Sequence, residues 1–153
     1  MNLQYNKYKK KESEFEEKVI QIKRVSKKTK GGNQISFTAL VVCGDKKSRV
    51  GVALGRAKNV ADAIKKAVKK AEKNILVVPV VQGTISQEIK IKFKSALVLL
   101  KPGKKGAGLI AGGPVRAVLE LAGVRDIASK IIGSKNKSLN VWATFKALQK
   151  LKE

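Results

Sequence analysis

A chain of 153 residues with 43% hydrophobic content is long enough for one ordinary domain or two small ones with modest cores, and is no disordered tail. Its 34 Lys+Arg against 11 Asp+Glu leave a net charge of +23, which favours a polyanionic partner: DNA, RNA or an anionic membrane. No run approaches the ~20 apolar residues of a bilayer span; histidine is absent and Cys43 is the single cysteine, which excludes an intramolecular disulfide and a His/Cys zinc cluster and makes acid–base catalysis a minor prospect.

Residues 1–14 are polar and basic and read as an N-terminal arm, without the apolar core of a secretory signal. Residues 16–25 alternate imperfectly and predict a first strand, leading into a turn cluster over residues 26–33 that carries three lysines. In residues 34–44, Ile35, Phe37, Ala39, Val41 and Cys43 share one face while Ser36, Thr38, Leu40 and Val42 share the other. Such a strand is central and buried, with Cys43 as a small apolar core residue. A polar hairpin turn at residues 44–48 leads to a third strand over residues 49–55. Asn59 is placed to cap a helix whose apolar stripe is Val60, Ala63, Ile64, Ala67, Val68 and Ala71, with lysines on its other faces.

A second module begins near Ile75, with Pro79 in the extended residues 76–81 suited to an edge or junction. Residues 88–94 alternate sharply, Ile89, Ile91 and Phe93 inward and lysines outward, and the apolar run of residues 96–100 predicts a central strand. A basic loop, residues 101–108, precedes a glycine-rich connection into a helix that starts at Pro114. Val115, Val118, Leu119 and Ala122 line one face of this helix, and Gly123 ends it in the left-handed conformation. Residues 124–133 predict a further strand, and Ser138 caps a last helix with Val141, Trp142, Phe145 and Leu148 inward. The expected division is an arm at 1–14, a three-stranded sheet with one helix at 15–78, and a strand–helix domain at 79–153.

Two anions compete for the glycine loop. Gly106-x-Gly108-x-x-Ala111, with Asp126 about 20 residues on, formally matches a dinucleotide fingerprint. Asp126 falls at the start of its strand, however, where the ribose-binding acid belongs at the end of one. The helix also begins too late, and no Walker-type spacing exists, so a nucleotide-dependent enzyme is the minor reading. Basic turns recur at Lys27, Lys28 and Lys30, at Lys46 and Lys47, and at Lys104 and Lys105, which suits a ligand met through its phosphates. Zipper, helix-turn-helix and zinc-finger patterns are missing and aromatics are few, which leaves shape recognition of folded RNA. The strand–strand–strand–helix order resembles a double-stranded-RNA-binding module without its first helix, and a free-standing protein of that kind is the alternative binding reading.

Three stretches, residues 19–32, 36–42 and 49–51, resemble the N-terminal half of the bacterial-type family of small-subunit ribosomal protein five. Residues 108–124, Gly-Leu-Ile-Ala-Gly-Gly-Pro-Val-Arg-Ala-Val-Leu-Glu-Leu-Ala-Gly-Val, resemble the core motif of its C-terminal half. The resemblance implies an α+β chain, with a double-stranded-RNA-binding-like domain followed by a β-α-β-α domain of left-handed crossover. It implies a structural role in a 30S-type small subunit of a bacterial cytoplasmic or organellar ribosome, binding 16S-type rRNA, steadying head against body and contributing to translational accuracy. Implied neighbours are the fourth and eighth small-subunit proteins and the mRNA entry region; no catalytic residue, metal, cofactor, small-molecule substrate or membrane is implied. Expected rRNA contacts are Arg24, Ser26, Lys27, Lys28, Lys30, Gly31, Gly32, Lys46, Lys47, Arg49, Arg56, Lys58, Lys104 and Lys105. The interface with the fourth protein is expected at Gly108, Gly112, Gly113 and Arg116. Where relatives often carry Pro-x-x-Glu-Gly-Thr-Gly, this chain has Lys104-Lys105-Gly106-Ala107-Gly108, which predicts a more electrostatic contact; longer relatives continue beyond the position of Glu153.

Overall fold

The computed structural model describes residues 14–151; the expected arm, except Glu14, lies outside the described residues. Strands β1 (Glu16–Thr29), β2 (Gly32–Gly44) and β3 (Arg49–Ala57) are followed by helix α1 (Val60–Lys73) and strand β4 (Ile75–Val77). They form an antiparallel sheet in the order β1-β2-β3-β4. Then come β5 (Ile89–Phe93), β6 (Ala96–Pro102), β7 (Leu109–Ile110), α2 (Gly113–Leu121), β8 (Ile127–Gly133) and α3 (Lys137–Lys150). Their sheet has the order β5-β6-β8-β7, with β7 and β8 parallel across the α2 crossover. The chain is the expected two-domain α+β protein.

Both faces of β2 are apolar, and the structure uses both. Ala39 and Val41 pack under Ala63, Ala67 and Val68 of α1, and Cys43 packs with Ala53 and Ala71. Burial pushes the Cys43 thiol up to about 11, so it is an inert core residue. Leu40 and Val42 face the other way, into one continuous core with Val115 and Leu119 of α2, Val141 and Leu148 of α3, and Val98, Leu100 and Ile127 of the second sheet. The layers therefore run α1, first sheet, α2 with α3, second sheet. A close joint fixes the two domains: Lys46 N donates to Leu121 O at 3.0 Å, and Gly123, at φ +84°, lies against the Lys46 carbonyl, where a Cβ would stand 2.5 Å from the oxygen. Only glycine combines that left-handed backbone with that closeness.

Five local readings change. Residues 26–33 are not a loop: β1 runs to Thr29 and β2 starts at Gly32, leaving Lys30 and Gly31 as the turn, closed by Thr29 Oγ1 donating to Gly32 O at 2.7 Å. The ladder satisfies the backbone there, while polar side chains on both faces erase the alternation that would announce a strand. Residues Ile75, Leu76 and Val77 do not open the second module; they pair with Gly51, Val50 and Arg49 and complete the first sheet. Strand β7 is too short for any periodicity to register. The cap of α3 is Asn136, whose Oδ1 accepts from Ser138 N at 3.1 Å, rather than Ser138, and Asn59 precedes α1 without a side-chain capping bond. Trp142 and Phe145 of α3 are half-buried and meet edge to face, centroids 6.0 Å apart.

Candidate nucleic-acid interface

The β1–β2 hairpin outruns the sheet. Strand β3 ends at Ala57, opposite Phe37, so beyond that point two strands continue alone and residues 26–35 are all exposed. Arg24 sits opposite Phe37 on the α1 side, and Ser26 and Lys28 follow it on that face, whereas Lys23, Val25 and Lys27 face the other way. Lys30 and Gly31 form the tip, and Gly32 follows at φ +125°. At the base, Arg56 stands opposite Thr38 and donates through Nε to Ser36 Oγ at 2.8 Å, with Lys58 exposed just beyond. The ribbon is a cationic finger with almost no apolar support, and such a two-stranded piece is marginal without a partner surface.

The remaining expected contacts lie elsewhere. Strand β2 has 13 residues, so the two turns it connects are about 40 Å apart, and the expected contact residues of the first domain divide between the hairpin with its base and the turn at the far end of β2. At the far end Asp45 organises the turn. Its Oδ1 accepts from the backbone N–H of Lys47 (2.9 Å), Ser48 (3.1 Å) and Arg49 (2.9 Å), and its Oδ2 accepts from Arg49 Nε at 2.7 Å. Burial alone would raise this carboxyl; the Arg49 guanidinium and the three N–H donors prevail and hold it well below the usual carboxylate range. Arg49 is engaged within the protein, paired with Asp45 and Glu14 and lying 4.8 Å over the Phe15 ring. Lys46, at φ 58°, reaches Glu16 Oε2 at 2.7 Å, and Lys47 is exposed beside it.

Opposite this turn lies the glycine loop. Gly108, at φ +79°, donates its N–H to Asp126 Oδ1 at 2.9 Å and accepts from Ile127 N at 3.1 Å. Asp126 is buried, so its carboxylate fastens the loop to the start of β8 and is not displayed to a ribose. Lys104 and Lys105 are exposed on this loop, and Lys105 joins Lys46, Lys47 and Arg125 around a cleft of about 390 Å³. Gly112 is the N-cap position of α2 and accepts from Arg116 N at 2.7 Å, leaving the Arg116 side chain exposed one turn on. Gly113 lines a shallow groove of about 180 Å³ with Pro114, Ala117, Val19 and Ile20.

Two features escape a reading of the sequence. Arg125 carries no local pattern and matters only because the fold brings it to Lys47 and Lys105. Among the described residues nothing covers one face of the second sheet, since both helices of that domain pack on its other side. Register places Lys90, Lys92, Leu97, Leu99, Lys130, Ile132 and Ile110 there, with Ile110 62% and Ile132 40% exposed. The outward lysines of β5 are the available signal. Among the described residues no group of three or more His, Cys, Asp or Glu is placed to hold a metal ion, and no helix is long and apolar enough to cross a membrane.

Two packed α+β domains carry a cationic hairpin, a cation-lined cleft and a fastened glycine loop, a basic surface whose charge suits a polyanion. Comparison narrows the class. Residues 15–79 match the family model "Ribosomal protein S5, N-terminal domain" and residues 91–153 match "Ribosomal protein S5, C-terminal domain". The chain belongs to the ribosomal protein S5 family. It is 51% identical over 152 residues to the small ribosomal subunit protein uS5 of Mycoplasma mobile, covering 99% of this chain and 63% of that protein. It is 52% identical over 141 residues to the uS5 protein of Mycoplasmopsis agalactiae, covering 92% of this chain and 61% of that one. Against uS5 of Campylobacter jejuni it is 49% identical over 139 residues, covering 91% of this chain and 95% of the other. The chain thus spans less than two thirds of the two mycoplasma proteins and nearly all of the Campylobacter one.

Proposed function

We propose that this protein is a structural, non-enzymatic constituent of a small ribosomal subunit of bacterial type, working in the cytoplasm and bound to 16S-type rRNA. The observation that carries the reading is the β1–β2 hairpin, a ribbon with cations on both faces and little apolar support, in a chain of the S5 family. Arg24, Ser26, Lys27, Lys28 and Lys30 meet rRNA phosphates along the ribbon, Gly31 and Gly32 turn its tip, and Arg56 and Lys58 extend the contact at its base. Lys46, Lys47, Lys104 and Lys105 make a second contact, and Arg49 serves it by bracing the Asp45 turn. Gly108, Gly112, Gly113 and Arg116 form the side turned to the fourth small-subunit protein, with the eighth as a further neighbour. A division at 15–78 and 79–153 accords with β4 completing the first sheet. By seating both domains on rRNA the protein steadies head against body near the mRNA entry region and supports decoding accuracy.

The test is the variant Lys27→Ala/Lys28→Ala/Lys30→Ala. Its rRNA affinity falls, and the slope of log K against log salt flattens by up to ~0.7–0.9 for each phosphate that is no longer neutralised. In a sucrose gradient the unsubstituted protein travels with the small subunit. An unchanged slope, or a protein that binds duplex RNA but never joins the subunit, refutes the reading; the latter result identifies a free-standing double-stranded-RNA-binding protein.

A further inference from the structure

Four separate segments converge on one cleft. The Asp45 turn brings Lys46 and Lys47 from the first domain, and the second domain contributes Gln82 and Gly83, Lys105 of the glycine loop, and Gly123 with Arg125 after α2. Each segment is pinned. Asp45 holds its turn through four hydrogen bonds, Gly83 O accepts from the N–H of both Arg125 (2.8 Å) and Asp126 (3.0 Å), and Asp126 holds Gly108. Lys47, Lys105 and Arg125 are exposed; the one acid lining the cleft, Asp126, accepts from the Gly108 N–H, and the two acids near Lys46 are paired, Glu16 with Lys46 itself and Glu120, which adjoins Arg125, with Lys18. Like charges gathered by prearranged backbone, with the neighbouring acids already engaged, mark a site for an external anion.

Resting on the rRNA-binding reading, we propose that this cleft is a phosphate seat across the domain joint, taking adjacent phosphates of a bent RNA backbone, with Arg125 as its additional ligand. A single carboxylate neutralises one cation, whereas a backbone with a charge on every residue engages Lys47, Lys105 and Arg125 together, which favours RNA over an acidic side chain. A ligand held there touches both domains and spans the joint made by Lys46 N and Leu121 O.

The test compares three charge-matched variants of the full chain on small-subunit rRNA transcript: Lys47→Gln/Lys105→Gln/Arg125→Gln at the cleft, the hairpin triple above, and Lys65→Gln/Lys66→Gln/Lys69→Gln on the outer surface of α1. All nine residues are exposed, and thermal melting checks that each variant folds. The expected result is that the cleft triple flattens the salt slope by about 2–3, more than the α1 triple, and that Arg125→Gln alone flattens it by about 1. Equal effects of the cleft and α1 triples overturn the seat in favour of overall charge. A cleft triple without effect beside a weakened hairpin triple removes the seat and leaves the function standing; no effect of either removes the function. A second arm adds hepta-glutamate: if it binds as tightly as RNA and loses affinity in the cleft triple, the cleft is a contact for an acidic protein and the RNA assignment is wrong.

Discussion

Asp45 is the residue on which the second basic group depends. Its four bonds convert a lysine-rich turn, which self-repulsion would loosen, into a fixed platform for Lys46 and Lys47. Asp45→Ala leaves the backbone donors of residues 47–49 to water and costs about 1–3 kcal/mol of stability, read by urea unfolding. The pH dependence follows from the direction of the shift. An unfolded aspartate titrates near about 4, and the native one is held far lower, so its contribution is complete above about pH 5 and is lost as pH falls towards the native value. Melting temperature followed from pH 6 to pH 2 therefore falls more steeply for the unsubstituted protein than for Asp45→Ala; parallel curves contradict the assignment. Arg49, expected at an rRNA contact, shows what a sequence leaves out: its charge is visible there, its engagement with Asp45, Glu14 and the Phe15 ring is not.

Among the elements, α3 offers a clean check. Asn136 caps it through Ser138 N, and Asn136→Ala costs about 1 kcal/mol, whereas Ser138→Ala, which leaves that backbone donor in place, costs far less; equal losses in denaturant titrations return the cap to Ser138. The hairpin teaches the larger lesson. Strands announce themselves by alternation only where one face is buried, and the outer half of β1–β2 buries neither. Its cations are legible in the sequence, and its ladder is not. The difference bears on binding, because ladder pairing sets the hairpin cations at regular spacing on two faces where a loop would scatter them. Short pieces fail for another reason: β4 and β7 contain three and two residues, fewer than any period needs, and pairing with β3 and β8 decides their fate.

For the whole molecule the continuous core is decisive. Leu40 lies on the face of β2 that meets the second domain and is 2% exposed. Leu40→Ala costs about 2–5 kcal/mol, and because the core is shared, both domains lose stability together. Far-UV circular dichroism and the fluorescence of Trp142, which resides in the second domain, are expected to report one coincident urea transition before and after the substitution. Two separated transitions would show that the domains fold independently. A shared core also matters for the proposed function, since a protein that bridges rRNA segments transmits force only if its halves do not hinge freely.

Composition and pattern by themselves determined that this is a basic α+β protein of two modules, with β2 buried on both faces, Cys43 in the core and a long motif running through α2. Those properties are local: alternation, helical spacing, caps and charge act within a few residues or are summed over the chain. Only the tertiary structure decided that the two sheets share one core through α2 and α3, that the two basic turns joined by β2 stand about 40 Å apart, and that Arg125 lines one cleft with Lys47 and Lys105. Those facts depend on which surfaces exclude water against each other, a choice made between segments distant in the chain and invisible in any one of them.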